Sequence, residues 1–386
     1  MLQTLAINNY RSLKDLVVPL ASVNVITGPN GSGKSNLYKA LRLLAATAGG
    51  GVINALAREG GLQSTFWAGP EQFSRDMTSG AAPIQGTRRT EPVRLRMGFA
   101  SEDFSYAISL GLPVPDGSRF SLDPVIKRET VWSGPLYRPA AGLVDRKGPV
   151  VKVRAGRSWQ VVEQHVATFE SMFRGIRDLG ATTELLAFKH DIEGWRFYDH
   201  LRTDAQAPAR QVHLGTRTPV LDDQGQALAA AWQTILEIGD AQALAAVVED
   251  AFPGASVEVA INDANYFTLL FKQHGLLRPL SAAELSDGTL RYLLWAAALL
   301  TPRPPPLMIL NEPETSLHPD LLPALGRLII RAAESSQIWV VTHAPRLVHT
   351  LAHCDDYNEL NLEKTLGETT VFGQGALDQP AWNWPD

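Results

Sequence analysis

The sequence predicts an α/β protein: a mixed sheet flanked by helices, with an antiparallel β lobe and a small helical lid. Three observations predict it. Glycine-rich GPNGSGKS (28–35) follows strand-like SVNVIT (22–27) and opens a helical stretch from Ser35 to about Ala46. Residues 282–301, 307–311, 319–334 and 337–342 alternate helix, strand, helix, strand, the pattern of a parallel sheet with helices outside. VRLRMGFA (93–100) and FSYAISLGL (104–112) alternate in the β manner around a tight Ser-Glu-Asp turn, as in an antiparallel hairpin.

The other elements follow in order. Residues 2–8 read as a strand, and 49–92 as loops with short helical pieces. Residues 113–160 mix short strands with proline and glycine. From 160 to about 250 a helical period dominates, in VVEQHVATFESMFRGIRDL and in ALAAAWQTILEIGDAQALAAVVEDAF. VEVAIND and YFTLLFKQ (257–263 and 266–273) form a second hairpin around an asparagine-containing turn, and PRPPPL (302–307) is a stiff connector. Residues 113–250 are expected to form a β/helical lid inserted into a single head (1–386) that both chain ends build.

Composition narrows the class. A chain of 386 residues has ample length for a real core. A net charge of −5 gives no global field that draws the chain to nucleic acid. Cys354 is the single cysteine, which excludes an internal disulfide framework, fits a reducing compartment and reads as a small apolar residue. The longest apolar run, near YLLWAAALL (292–300), is shorter than the roughly 18–20 residues that span a bilayer. A cytoplasmic protein without membrane insertion is expected.

GPNGSGKS fits G-x-x-x-x-G-K-[ST] without mismatch, between a strand and a helix, where the mechanism needs it. Backbone N–H groups around Asn30, Gly31, Ser32 and Gly33 suit a β-phosphate. Lys34 suits the β/γ oxygens and the Ser35 hydroxyl a magnesium ion. Such a loop needs a carboxylate strand, and LMILNE (307–312) supplies one. Glu312 suits a general base that polarises the attacking water. Asn311 stands where a metal-holding Asp is usual. Its amide oxygen accepts a bond from a magnesium-bound water without adding charge, so weaker metal affinity is expected. Glu314 is either extra charge nearby or a solvated acid. LSDGTLRYL (285–293) places Ser286, Asp287 and Gly288 at a helix start, readable as a helix cap or as a γ-phosphate site. VVTHAP (340–345) ends a strand on His343, either a catalytic group or a satisfied polar residue.

These parts, in this order, resemble the ABC-type ATPase superfamily, in its SMC/RecF-like branch of AAA-type ATP-binding proteins, near the ATPase half of OLD-like proteins. GPNGSGKSN, LSDGTLRYL, LNEPETSLHP and VVTHAP match the Walker A, signature, Walker B with D-loop, and switch-histidine motifs. INNYRSL resembles the branch's first strand, and GWRFYDHLRTDAQAPAR and TRTPVLDDQGQALAAAW its compact middle. The resemblance implies a P-loop NTPase with an ABC-type head. It implies a homodimer that sandwiches two ATP–Mg2+ between Walker A of one subunit and Ser286, Asp287 and Gly288 of the other. Ser316, Leu317 and His318, as the D-loop, would cross that interface. Glu312 and His343 would be catalytic, and Arg11 would reach the nucleotide. Gln63 is the candidate metal-side Q-loop glutamine, with a plain surface glutamine as the alternative. Tyr10 either stacks on adenine or packs in the core.

The implied function is ATP hydrolysis driving a conformational switch, in DNA repair or in defence against foreign DNA, with nucleic acid or a separate effector protein as partner. A slow, nucleotide-gated binding module is the alternative that Asn311 raises. A transporter engine fits the unclear Q-loop poorly, and an OLD-type nuclease needs an acidic metal domain for which the tail after His343 is too short. Arg174, Arg177, Arg196, Arg202, Arg210 and Arg217 are either DNA phosphate contacts or a solvated ion-paired surface.

Overall fold

The computed structural model describes residues 1–86, 92–114, 117–174, 183–199, 201–375 and 377–385. In chain order the elements are β1 (Leu2–Tyr10), β2 (Leu13–Pro19), β3 (Val23–Thr27), α1 (Lys34–Ala48), α2 (Val52–Arg58), α3 (Leu62–Thr65), α4 (Arg75–Ser79), β4 (Leu95–Ser101) and β5 (Phe104–Gly111). Then come β6 (Val125–Ser133), β7 (Gly142–Lys147), β8 (Val150–Ala155), β9 (Ser158–Glu163), α5 (Thr183–Glu193), β10 (Arg196–Tyr198), β11 (His213–Leu214), α6 (Leu228–Ile238), α7 (Ala241–Ala251), β12 (Ser256–Ile261), β13 (Tyr266–Lys272) and β14 (Leu280–Ser281). The last are α8 (Asp287–Leu299), β15 (Leu307–Asn311), α9 (Leu322–Ala332), β16 (Gln337–Val341), α10 (Pro345–Leu351), β17 (Tyr357–Thr365) and β18 (Glu368–Val371).

The chain divides into two compact units. Unit 1 holds residues 1–21, 27–193 and the chain from Leu360 on; unit 2 holds 22–26 and 194–359. The 113–250 stretch is therefore shared: up to Glu193 it belongs to unit 1, and from Gly194 on to unit 2.

Unit 1 is built on an eight-stranded antiparallel sheet in the order β2-β1-β4-β5-β6-β7-β8-β9. Its middle strands are buried almost throughout. Leu5, Ile7, Met97, Phe99, Tyr106 and Ile108 are buried, together with Leu37, Leu41 and Leu44 of α1. Phe188 of α5 packs on Phe99 and Phe173 packs on Tyr106, at ring separations of 5.8 and 5.3 Å.

The helix expected over 161–179 is corrected over 161–174, and residues 175–179 lie outside the described residues. Residues 158–163 form β9, where the β-branched pair Val161 and Val162 continues the sheet beside β8. The following backbone is held by side chains of the sheet. Arg146 donates to the carbonyls of Ala167 (2.8 Å) and Glu170, and Glu129 accepts from the Met172 amide (2.8 Å) and the Ser171 hydroxyl (2.6 Å). Groups that would make helical bonds are used this way. Arg146 and Glu129 pair at 2.9 Å, both fully buried.

Unit 2 carries a parallel sheet, β10-β15-β16-β3, as the helix–strand alternation predicts. β17 begins beside β3 and runs on into unit 1, where it pairs with β18. Helices α6, α7, α8 and α9 bury Trp232, Leu244, Leu293, Trp295, Leu325 and Ile329 in one apolar core with Val25, Met308, Leu310 and Val340 of the strands. The predicted second hairpin is β12–β13, turned by Asn265 at φ 59°. Cys354 is half-buried against this core. Among the described residues no helix is long and apolar enough to cross a membrane.

Candidate functional site

The phosphate-loop residues lie in unit 1. Gly28, Gly31 and Gly33 take φ of 132°, 81° and 113°, in the left-handed range that glycine tolerates. At two of them space also decides. A Cβ on Gly28 would overlap the Leu362 carbonyl, and one on Gly33 would overlap Thr369. Gly33 caps α1, and Leu37 N–H bonds its carbonyl at 3.0 Å. Ser35 is exposed and Lys34 half-exposed. The Lys34 ammonium donates to the carbonyls of Gly28 (2.6 Å) and Pro29 (3.2 Å).

A brace absent from the motif holds this loop. The Thr369 hydroxyl of β18 bonds the Ser32 carbonyl and the Ser12 hydroxyl, both at 2.7 Å. Asn36, one residue past Ser35, donates to the same Ser12 hydroxyl at 2.7 Å. The alternation of YNELNLEKT (357–365) and the turn after it were the available signal for this C-terminal hairpin.

Other unit 1 candidates have their own engagements. Arg11, at φ 49°, pairs with Glu59 at 2.8 Å, and the Tyr10 hydroxyl donates to the same carboxylate at 2.6 Å. Tyr10 is fully buried, which matches the core alternative; burial first and Glu59 second push its phenol above the ordinary tyrosine range. Gln63 lies in α3 with an exposed side chain.

In unit 2 the parallel register builds one edge. Asn311 of β15 pairs with Val341 of β16, which pairs with Ile26 of β3. Glu312 and His343 therefore leave the sheet on the side where β3 ends, one residue before Gly28. Glu312 sits at φ 48°, its amide bonded to the Val341 carbonyl (2.8 Å) and its carboxylate half-exposed. The exposed His343 ring lies 3.9 Å from Glu312 and 3.4 Å from Glu314. Glu314 is buried, not solvated. It accepts from the Thr342 hydroxyl (2.6 Å) and the His343 amide (3.0 Å).

Ser286 caps α8, accepting from Thr289 N–H at 3.2 Å, so the helix expected from 282 begins at Asp287. Gly288 allows a close approach: a Cβ there would lie 2.9 Å from the Ser316 carbonyl. Ser316, at φ 66°, and His318 are exposed, Leu317 is half-buried, and His318 accepts from Asp320 N–H. Trp295 of α8 donates to the Pro313 carbonyl at 3.1 Å, fixing this helix to the acidic loop.

Several of the candidate arginines are ion-paired within the chain. Arg174 pairs with Glu170, Arg202 with Asp204 and Arg217 with Glu237, while Arg196 bonds the Trp195 carbonyl. Arg210 is a correction: its guanidinium is buried in the chain, bonded to backbone carbonyls and to Asp287. Arg177 lies outside the described residues.

Oxygen donors suit magnesium, and an exposed Ser35 hydroxyl and the half-exposed strand-end Asn311 are of that kind.

A family model described as "AAA domain, putative AbiEii toxin, Type IV TA system" matches residues 23–349. None of the curated proteins matches the chain in sequence. Among solved structures, an SMC head domain from Thermotoga maritima is similar in fold, at 15% identity over 97% of this chain and 99% of that one, with a TM-score of 0.51. An SMC head bound to the C-winged helix domain of ScpA aligns at 14% identity over 97% of this chain and 98% of that one, with a TM-score of 0.49. The chain belongs to this AAA-domain family, and its fold is that of an SMC head domain.

Proposed function

We propose that the chain binds ATP with magnesium and hydrolyses it in a head-to-head homodimer, driving a conformational switch in a partner. The observation that carries this reading is the strand-edge row Asn311–Val341–Ile26, from which Glu312, His343 and the phosphate loop follow within two residues. Asn30, Gly31, Ser32 and Gly33 cradle the phosphates with backbone N–H groups. Lys34 exchanges its loop carbonyls for the β/γ oxygens, and Arg11 would reach the nucleotide. Ser35 and Asn311, with Gln63 as the third candidate, would hold magnesium, which supplies positive charge to the phosphate oxygens when bound. Glu312 takes the proton of the attacking water, and His343 contacts the γ-phosphate. Ser286, Asp287 and Gly288 serve the second copy's nucleotide, and Ser316, Leu317 and His318 face that copy. The partner is nucleic acid or a separate effector protein. The process is DNA repair or defence against foreign DNA, in keeping with a family whose description includes a toxin–antitoxin system.

Asn311 favours a second reading, a nucleotide-gated module with little turnover. Steady-state hydrolysis separates the two. The first expects turnover in wild type that is lost in Glu312→Gln. The second expects tight ATP binding without turnover, and turnover gained in Asn311→Asp. No ATP binding by wild type would contradict both.

A further inference from the structure

Asp287 is an awkward residue for a phosphate site. It stands between Ser286 and Gly288, its carboxylate is 57% exposed, and a triphosphate arriving at this helix start would meet a like charge. The structure shows what offsets it. The Arg210 side chain is 9% exposed and reaches the Asp287 carboxylate at 2.7 Å. The same guanidinium donates to the carbonyls of Ala282 (3.1 Å), Ala283 (3.2 Å) and Leu285 (2.7 Å), in the turn just before Ser286. Its other bonds go to the carbonyls of Thr203 (2.8 and 2.9 Å) and Asp204 (3.2 Å), in the loop that follows β10. A guanidinium has five N–H donors in a rigid fork, and all of that capacity is used inside the chain. Arg291, one helical turn past Asp287, is a further cation that interacts with the carboxylate. The turn is also held by Ser281 and Glu284, which form a reciprocal capping box.

We infer that Arg210 is a positioning residue for the signature turn: it masks the Asp287 charge and turns the 282–285 carbonyls inward, so that the Ser286–Gly288 helix start can receive the γ-phosphate of ATP held by a second copy. This rests on the sandwich reading above. Arg210 acts through Asp287 and the turn and does not touch the nucleotide.

The experiment measures ATP–Mg2+-dependent self-association by sedimentation in the Glu312→Gln background, at low and high salt. It compares the parent, Arg210→Gln, Asp287→Asn and the double variant. Nucleotide binding by the dilute monomer is measured alongside and should not change, because Arg210 serves the partner's nucleotide. Arg210→Gln should weaken the dimer about tenfold or more at low salt, and less at high salt. Adding Asp287→Asn should bring the dimer back to within about threefold of the parent, a rescue that a purely structural arginine would not show. Asp287→Asn alone keeps all the carbonyl bonds of Arg210 and should tighten the dimer at low salt, so the inference stays testable if Arg210→Gln does not fold. A dimer unaffected by Arg210→Gln, a double variant as weak as Arg210→Gln, or an Asp287→Asn dimer that is no tighter overturns it. A parent that does not associate in ATP overturns the sandwich reading and this inference together. A parent that associates while the variants behave as just listed overturns the inference alone.

Discussion

The phosphate loop and the acidic edge are held by different chemistry. Neutral groups brace the loop: Ser12, Asn36, Thr369 and the loop's own carbonyls. Charged groups brace the edge and the signature turn: Glu314 under His343, and Arg210 under Asp287. The difference follows from what each must receive. A loop that offers N–H groups and the Lys34 ammonium to a polyanion is best held by neutral groups, because a carboxylate behind it would repel the ligand. An edge that carries Glu312 and Asp287 already has negative charge, and its order depends on countercharges and on carboxylates that accept backbone bonds.

The largest expected effect tests whether unit 1 is neutral only at its loop. Its charged brace, Glu129 with Arg146, lies in the sheet and is fully buried. Arg146→Met strands the Glu129 carboxylate and should cost about 3–5 kcal/mol of stability, read by denaturant unfolding. A change under about 1 kcal/mol would mean the pair adds little. Next is Lys34→Ala. Losing a charge-assisted bond to phosphate should weaken ATP binding by about 2–3 kcal/mol, on the order of a hundredfold, in equilibrium titration with the fold intact.

Thr369→Val is nearly isosteric and removes both hydroxyl bonds of the loop brace. It should cost about 1–2 kcal/mol, and nucleotide affinity should fall with it. Unchanged affinity would mean that the glycines alone shape the loop. The smallest effect is a pH dependence at the signature turn. The Arg278 guanidinium, then Ser281, pull the Glu284 carboxyl down to about 2. A depressed folded value means a contribution that is present above the ordinary carboxylate range and lost as pH falls from about 4.5 toward 2. Melting curves across that window should fall less steeply for Glu284→Gln than for wild type.

Much of this was legible in the sequence, for definable reasons. The phosphate loop, the strand ending at Asn311 and the strand before His343 carry short motifs with strong local periodicity, and the parallel sheet followed from helix–strand alternation. What stayed hidden was set by distant partners. Residues 161–179 have a helical period, yet β9 is decided by sheet pairing and by Arg146, whose burial no local pattern reveals. Arg210 read as one surface arginine among six because Asp287 and the carbonyls of Ala282 and Leu285 lie more than 70 residues away. β10 is three residues long, too short for a period. Thr369 braces a loop over 330 residues earlier in the chain.

In the proposed sandwich, each nucleotide is served by two copies of the chain. Mixing Lys34→Ala with Ser286→Arg, each inactive alone, tests it most directly. ATP turnover should return on mixing, because one composite site then pairs an intact phosphate loop with an intact signature turn. If the mixture stays as inactive as its components while wild type turns over, the site is complete within one chain and the claim is wrong.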